Sequence, residues 1–122
     1  MVSEFLHITL GRRRKARIDD PLGRSWLGYD PHASAIDHWE ANRGAWKLDP
    51  KRVRDCELAV FSHEGMVVLV ARVTDVEAVP DQGGYRDRWR LVGTPLTGHA
   101  LEGRPQPAPR SSGNPIAYVP AT

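Results

Sequence analysis

Five cations crowd six positions near the start of the chain: Arg12, Arg13, Arg14, Lys15 and Arg17. Three more alternate further on, at Arg86, Arg88 and Arg90. Guanidinium and ammonium groups at such density suit phosphate contact, although a solvated loop or strand edge produces the same pattern. Four Trp complete the inventory, and Trp46 and Trp89 adjoin Lys47 and the pair Arg88/Arg90. An indole can stack on an unpaired base while a neighbouring cation holds phosphate. Trp26 and Trp46 fall in turn-like or boundary stretches where a ring can line a pocket. Rings that merely close the ends of a small core are the competing reading.

Other chemistries find little support. His7, His32, His38, His63 and His99 are scattered, and Cys56 has no partner at ligand spacing, so no metal is expected. His32 and His38, six apart, fall on different sides of a helix. Cys56 precedes a strand that His63 ends, which separates them by about 20 Å of extended chain, and Cys56 reads as a small core residue. No nucleophile elbow, phosphate-cradling glycine loop or paired acids on one helical face is present. The residues point to a binding module without catalysis and without a cofactor.

A chain of 122 residues with net charge +2 reads as one soluble domain. No stretch approaches the ~20 apolar residues of a membrane span. The N-terminus lacks the charge and apolar core of a signal peptide, and a lone cysteine fits a reducing compartment, so a cytoplasmic location is expected.

The elements that must position these groups centre on Glu57 to Pro80. Leu58 and Val60 share one face of a strand, Ala59 and Phe61 the other. His63-Glu64-Gly65 turns the chain, and Met66 to Val73 returns with apolar residues on both faces. A further run covers Thr74 to Val79. Phe5 to Leu10 alternates as an earlier strand, and Ser25 to Tyr29 is a short extended segment. Asp30-Pro31 predicts a helix to Arg43, laid on the sheet by Ile36 and Trp39, and Asp49-Pro50 predicts a short one over Lys51 to Asp55. Tyr85 to Val92 predicts a strand with Tyr85, Trp89 and Leu91 on one face and an arginine stripe on the other, broken by Gly93-Thr94-Pro95. Leu96 to Leu101 is compatible with one helical turn. Arg104 to Pro109 reads as a polyproline-like crossing. Asn114-Pro115 turns into a closing strand, Ile116 to Val119.

The order Trp39-Glu-Ala-Asn-Arg-Gly-Ala-Trp46-Lys-Leu, the Ala59 to Val73 hairpin, Arg88-Trp-Arg-Leu-Val-Gly93 and Ser112-Gly-Asn-Pro-Ile-Ala-Tyr-Val119 resembles PUA-like domains, the superfamily that includes the EVE and ASCH groups. The resemblance covers about residues 35 to 119. It implies an α+β fold, a small mixed pseudo-barrel of five to six strands with one main and one short flanking helix. It also implies RNA or modified-base binding in a pocket between barrel and helices, with Arg43, Trp46, Asn114 and Tyr118 at the matching positions. Asn114 reads equally as a turn former and Tyr118 as a strand aromatic. The reading is thus a nucleic-acid-binding module for RNA or modified DNA. The alternative is a protein-interaction or small-ligand module whose basic residues are solvated surface.

Overall fold

The computed structural model describes residues 4–107 and 114–121. Residues 1–3, and the 108–113 portion of the Pro-rich crossing and of the Ser112-Gly113 motif, lie outside the described residues.

The chain forms β1 (Glu4–Thr9), β2 (Arg14–Lys15), β3 (Trp26–Leu27), α1 (Ala35–Asn42), α2 (Pro50–Arg54), β4 (Leu58–His63), β5 (Met66–Ala78), β6 (Trp89–Leu96) and β7 (Ile116–Pro120). Five strands make one mixed sheet in the order β6-β5-β4-β1-β7, and β2 and β3 pair as a separate ribbon. β1 runs parallel to β4, and the other neighbours in the sheet are antiparallel. The fold is α+β. The described pairings leave β6 and β7 at opposite ends of the sheet and do not close it into a barrel.

Strand alternation explains the two faces. Leu6, Ile8, Ala59, Phe61, Leu69, Ala71, Val73 and Leu91 join the main core, where Trp39 of α1 and Val53 of α2 cover them. Phe5, Val60, Val67 and Val70 form a smaller cluster on the other face, against Leu58, Leu96, Leu101 and Val119. Each large side chain removed from water in this way contributes about 1.5–3 kcal/mol. His7 shares the second face, where its Nε2 lies 2.9 Å from the Ser62 hydroxyl.

Several expectations need correction. The two expected runs from Met66 are a single 13-residue strand, Met66–Ala78, bent by an irregularity between Val73 and Asp75. The bend lets one long strand serve both its neighbours. β6 starts only at Trp89 and runs through Gly93-Thr94-Pro95 instead of stopping there. Pro95 is tolerated because β6 is a sheet edge, where a missing donor costs no ladder bond. Gly93 is required there, since a Cβ would land on the Arg72 carbonyl oxygen. Arg86 and Arg88 therefore precede the strand, and no three-arginine stripe exists on it.

α1 starts later than the Asp30-Pro31 signal. Ser34 is its N-cap, accepting from the Asp37 amide, while Asp30 accepts from the His32 amide in a preceding turn. Trp39 is buried, 3% exposed, but Ile36 is 64% exposed and does not hold the helix to the sheet. His38 and Asn42 take that face instead. α2 has Asp49 as its cap and Pro50 at its first turn. After β6, residues 99–104 form hydrogen-bonded turns rather than a helical turn, and Arg104 to Gln106 pairs with the start of β5.

Gly93→Ala should destabilise the protein by about 2–3 kcal/mol in urea denaturation, because the added methyl overpacks the β5–β6 crossing. Gly11→Ala, whose Cβ would meet nothing nearer than an Arg14 nitrogen at 3.9 Å, should stay within about 0.5 kcal/mol. Equal effects would contradict the close approach at Gly93.

Candidate functional site

The β2–β3 ribbon is too short to hold itself, so its position depends on polar anchors from α1. Asn42 is 2% exposed. Its Oδ1 accepts from the Gly28 amide and its Nδ2 donates to the Gly28 carbonyl, both at 2.8 Å, and to the His38 carbonyl at 3.0 Å. One side-chain amide thus meets both backbone groups of Gly28, as a neighbouring strand would. Gly28 sits at φ 91°, and any Cβ there would strike the Arg12 carbonyl, so the ribbon closes only over glycine.

A buried ion pair fastens the next loop. Arg24 lies 2.8 Å from Asp20, with side chains 7% and 1% exposed. The Arg24 guanidinium also donates to the Ala41 and Gly44 carbonyls, where α1 ends. Burial alone would push the Asp20 carboxyl up, but bonds from Arg24 and from the Leu22 amide more than offset it and hold the group below its usual range.

These anchors enclose a cavity of about 240 Å³ between β1, the ribbon, the end of α1 and the loop before β6. Arg14, Trp46, Tyr85 and Arg88 line it, with Arg24 and Asn42 at its wall. The Trp46 indole N–H donates to the Asn42 carbonyl at 2.6 Å, and its backbone pairs with Trp89. The Arg88 guanidinium lies 5.7 Å from the Tyr85 ring centroid, at cation–π range. Neither Arg14 nor Arg88 pairs with a carboxylate among the described residues.

The remaining sequence-selected residues divide among other surroundings. Trp26 and Arg43 line a neighbouring hollow of about 280 Å³ that also holds Asp37 and Glu40. Trp26 is overlaid by Arg13 at 4.4 Å and packs edge-on against His38. Arg12 and Arg13 line a broad groove with Tyr29 and His63. Arg13 pairs with Asp30, Arg17 with Asp19, Arg43 with Glu40 and Arg90 with Glu77. Lys15 is exposed opposite Trp26, and Arg86 is exposed beside Tyr85.

Tyr118 lies on a different part of the molecule. Its hydroxyl accepts from the Asp49 amide and its ring carries the Arg52 guanidinium at 4.2 Å. Asn114 accepts from the Ile116 amide in a turn, next to Pro115 at the cavity rim.

Sequence reasoning assigned Tyr85 to a buried strand face and gave Arg24 and Asn42 no role. The legible signal was Asn42 standing four residues after His38 and three after Trp39, a polar residue on the covered face of the helix.

Cys56 is buried, 3% exposed, and burial pushes its thiol up to about 11, which leaves it protonated and unreactive at neutral pH. Among the described residues no group of three His, Cys, Asp or Glu gathers in a metal-binding arrangement.

Burial pushes the imidazoles of His7 and His38 below their usual range, the latter partly offset by the Ser34 backbone and by nearby Asp30 and Asp37. The His38 Nε2 accepts from the Asp30 amide at 3.1 Å, a bond that protonation of that nitrogen would remove. A histidine with a depressed folded pKa leaves the unfolded chain binding more protons, so stability is full above about pH 6.5 and falls as the pH drops below it. Urea denaturation from pH 8 to pH 5 should show that fall, and His7→Gln should reduce its steepness. A flat profile would contradict both buried neutral imidazoles. Asn42→Ala should cost about 3 kcal/mol in the same assay at pH 7.5, since it leaves the Gly28 amide and carbonyl without partners; a cost under about 1 kcal/mol would show that Asn42 does not anchor the ribbon. In comparisons with known proteins, the chain matches no family model, no curated protein and no solved structure.

Proposed function

We propose that the protein is a non-catalytic nucleic-acid-binding module that accepts an unpaired or modified base, from RNA or DNA, in the cavity beneath the β2–β3 ribbon. One observation carries this reading. Two guanidinium side chains without acidic partners among the described residues, Arg14 and Arg88, line the same cavity as two aromatic residues, Trp46 and Tyr85. At about 240 Å³ the cavity falls just below the ~300 Å³ lower bound usual for ligand clefts, a size for one ring system.

In this reading a base stacks on an aromatic ring, worth about 1–3 kcal/mol. The flanking phosphate meets Arg14 and Arg88. The wall supplied by Arg24 and Asn42 is already satisfied internally, so it gives shape without reorganising. No bond is made or broken. The PUA-like resemblance agrees with a pocket between sheet and helices, and it implies a pseudo-barrel and a cytoplasmic protein.

The second reading is a protein-interaction or small-ligand module. It draws on the pairing of Arg13, Arg17, Arg43 and Arg90 with acids, which removes part of the expected cationic surface.

Fluorescence anisotropy with labelled single-stranded RNA, single-stranded DNA and duplex at low salt separates the two. The expected outcome is binding of single strands, with affinity falling as a log–log slope of about −0.7 per phosphate neutralised. The double variant Arg14→Glu/Arg88→Glu should weaken binding at least about tenfold. Lys51→Glu, an exposed site on α2, should leave it unchanged. Indifference to every nucleic acid would sink the proposal in favour of the second reading.

A further inference from the structure

We infer that the cavity is the middle of three contiguous subsites along the Arg12 to Arg17 segment, so that the ligand is a single strand of three nucleotides rather than one isolated nucleotide. This rests on the nucleic-acid reading above and specifies its partner.

Three hollows follow one another along this segment. The first, about 520 Å³, is lined by Arg12, Arg13, Tyr29 and His63. Its aromatic wall is a column: Tyr29 stacks on His38 at 5.1 Å and on His63 at 4.8 Å, and the His63 Nδ1 is fixed 2.9 Å from the Leu10 carbonyl. The second hollow is the cavity itself, which begins at Gly11 and Gly28, directly beside Arg12 and Tyr29 in the chain. The third, about 500 Å³, is lined by Gln82, Gly84, Tyr85 and Arg86. Tyr85 belongs to both the second and the third. The far end of the basic segment abuts the third, since Gln82 donates to the Asp19 carbonyl at 3.0 Å and an Arg17 nitrogen lies 3.7 Å from the position of a Cβ on Gly84.

Each hollow therefore has an aromatic side chain and a cation without an acidic partner among the described residues: Arg12 in the first, Arg14 and Arg88 in the second, Arg86 in the third. Five residue steps of extended chain reach at most about 16 Å, a span matched to a short strand. Glu64 and Asp30 line the first hollow and Asp81 the third, and the Asp30 carboxylate is neutralised by Arg13 at 2.7 Å. The three hollows set the number of units at three.

The test is a length series by isothermal titration calorimetry, using 5′-phosphorylated oligouridylate and oligothymidylate of one, two, three, four and six nucleotides. The association constant should rise about tenfold per nucleotide up to three and then level off. The log–log salt slope should grow from about −0.7 for the mononucleotide to about −2 for the trinucleotide. Arg12→Glu/Arg86→Glu, at two exposed sites, should flatten the rise while leaving mononucleotide affinity within about twofold.

Equal affinity from one to six nucleotides would overturn the three-subsite inference and leave the single-cavity reading standing. So would a rise continuing past four, or a double variant that loses the mononucleotide as severely as the trinucleotide. Absence of binding at every length would overturn both.

Discussion

The placement of the site depends on the buried amide of Asn42. A two-residue ribbon has too few ladder bonds to hold a fixed position, and the segment that carries the basic cluster has little apolar surface of its own. Asn42 substitutes for a missing strand by meeting the amide and the carbonyl of Gly28 together. Because it also bonds the His38 carbonyl, the clamp is rigid with respect to α1, and α1 is rigid with respect to the sheet through Trp39. The Arg24–Asp20 pair repeats the device one loop earlier. Buried polar groups satisfied in this way specify one arrangement, since any slip of the ribbon leaves several of them unpartnered.

The arginines fall into two populations as a result. Some are structural: Arg24 is buried, and Arg13, Arg17, Arg43, Arg52, Arg54 and Arg90 lie within 4 Å of a carboxylate. Exposed pairs of that kind contribute little to stability, but each lowers the charge available to a polyanion. Arg12, Arg14, Arg86 and Arg88 stand outside this pairing and cluster beside Tyr29, Trp46 and Tyr85. The charge left outside ion pairs is thereby carried by a few arginines beside aromatic rings, which a composition alone cannot display.

Much of the framework was legible because it follows from short periods. Leu58 and Val60 against Ala59 and Phe61 separate onto two faces as alternation demands, and Asp49-Pro50 opens α2 as capping demands. The failures have physical causes of their own. Alternation over Tyr85 to Trp89 imitates a strand, yet Tyr85 to Arg88 form the segment that leads into β6, and Tyr85 lines the cavity. Gly93-Thr94-Pro95 carries breaker residues, but an edge strand accepts Pro95 and a close crossing requires Gly93. Ile36 matched the helical period, but tertiary packing selected Trp39, His38 and Asn42 for the covered face. Of the site itself, the residue types were visible and the partnerships were not. Whether Arg88 or Arg90 keeps its charge available is decided by Glu77 across the strand, a contact no linear spacing announces.

The most direct test follows backbone amides and indole N–H signals by heteronuclear NMR while a short single-stranded oligonucleotide is added. The account predicts that shifts concentrate on the Trp46 indole N–H and the amides of Gly28, Gly44, Tyr85 and Arg88, with the α2 and β7 signals unmoved. Shifts centred on Tyr118 and α2, or a uniform drift across the sheet with no change at Trp46, would contradict it.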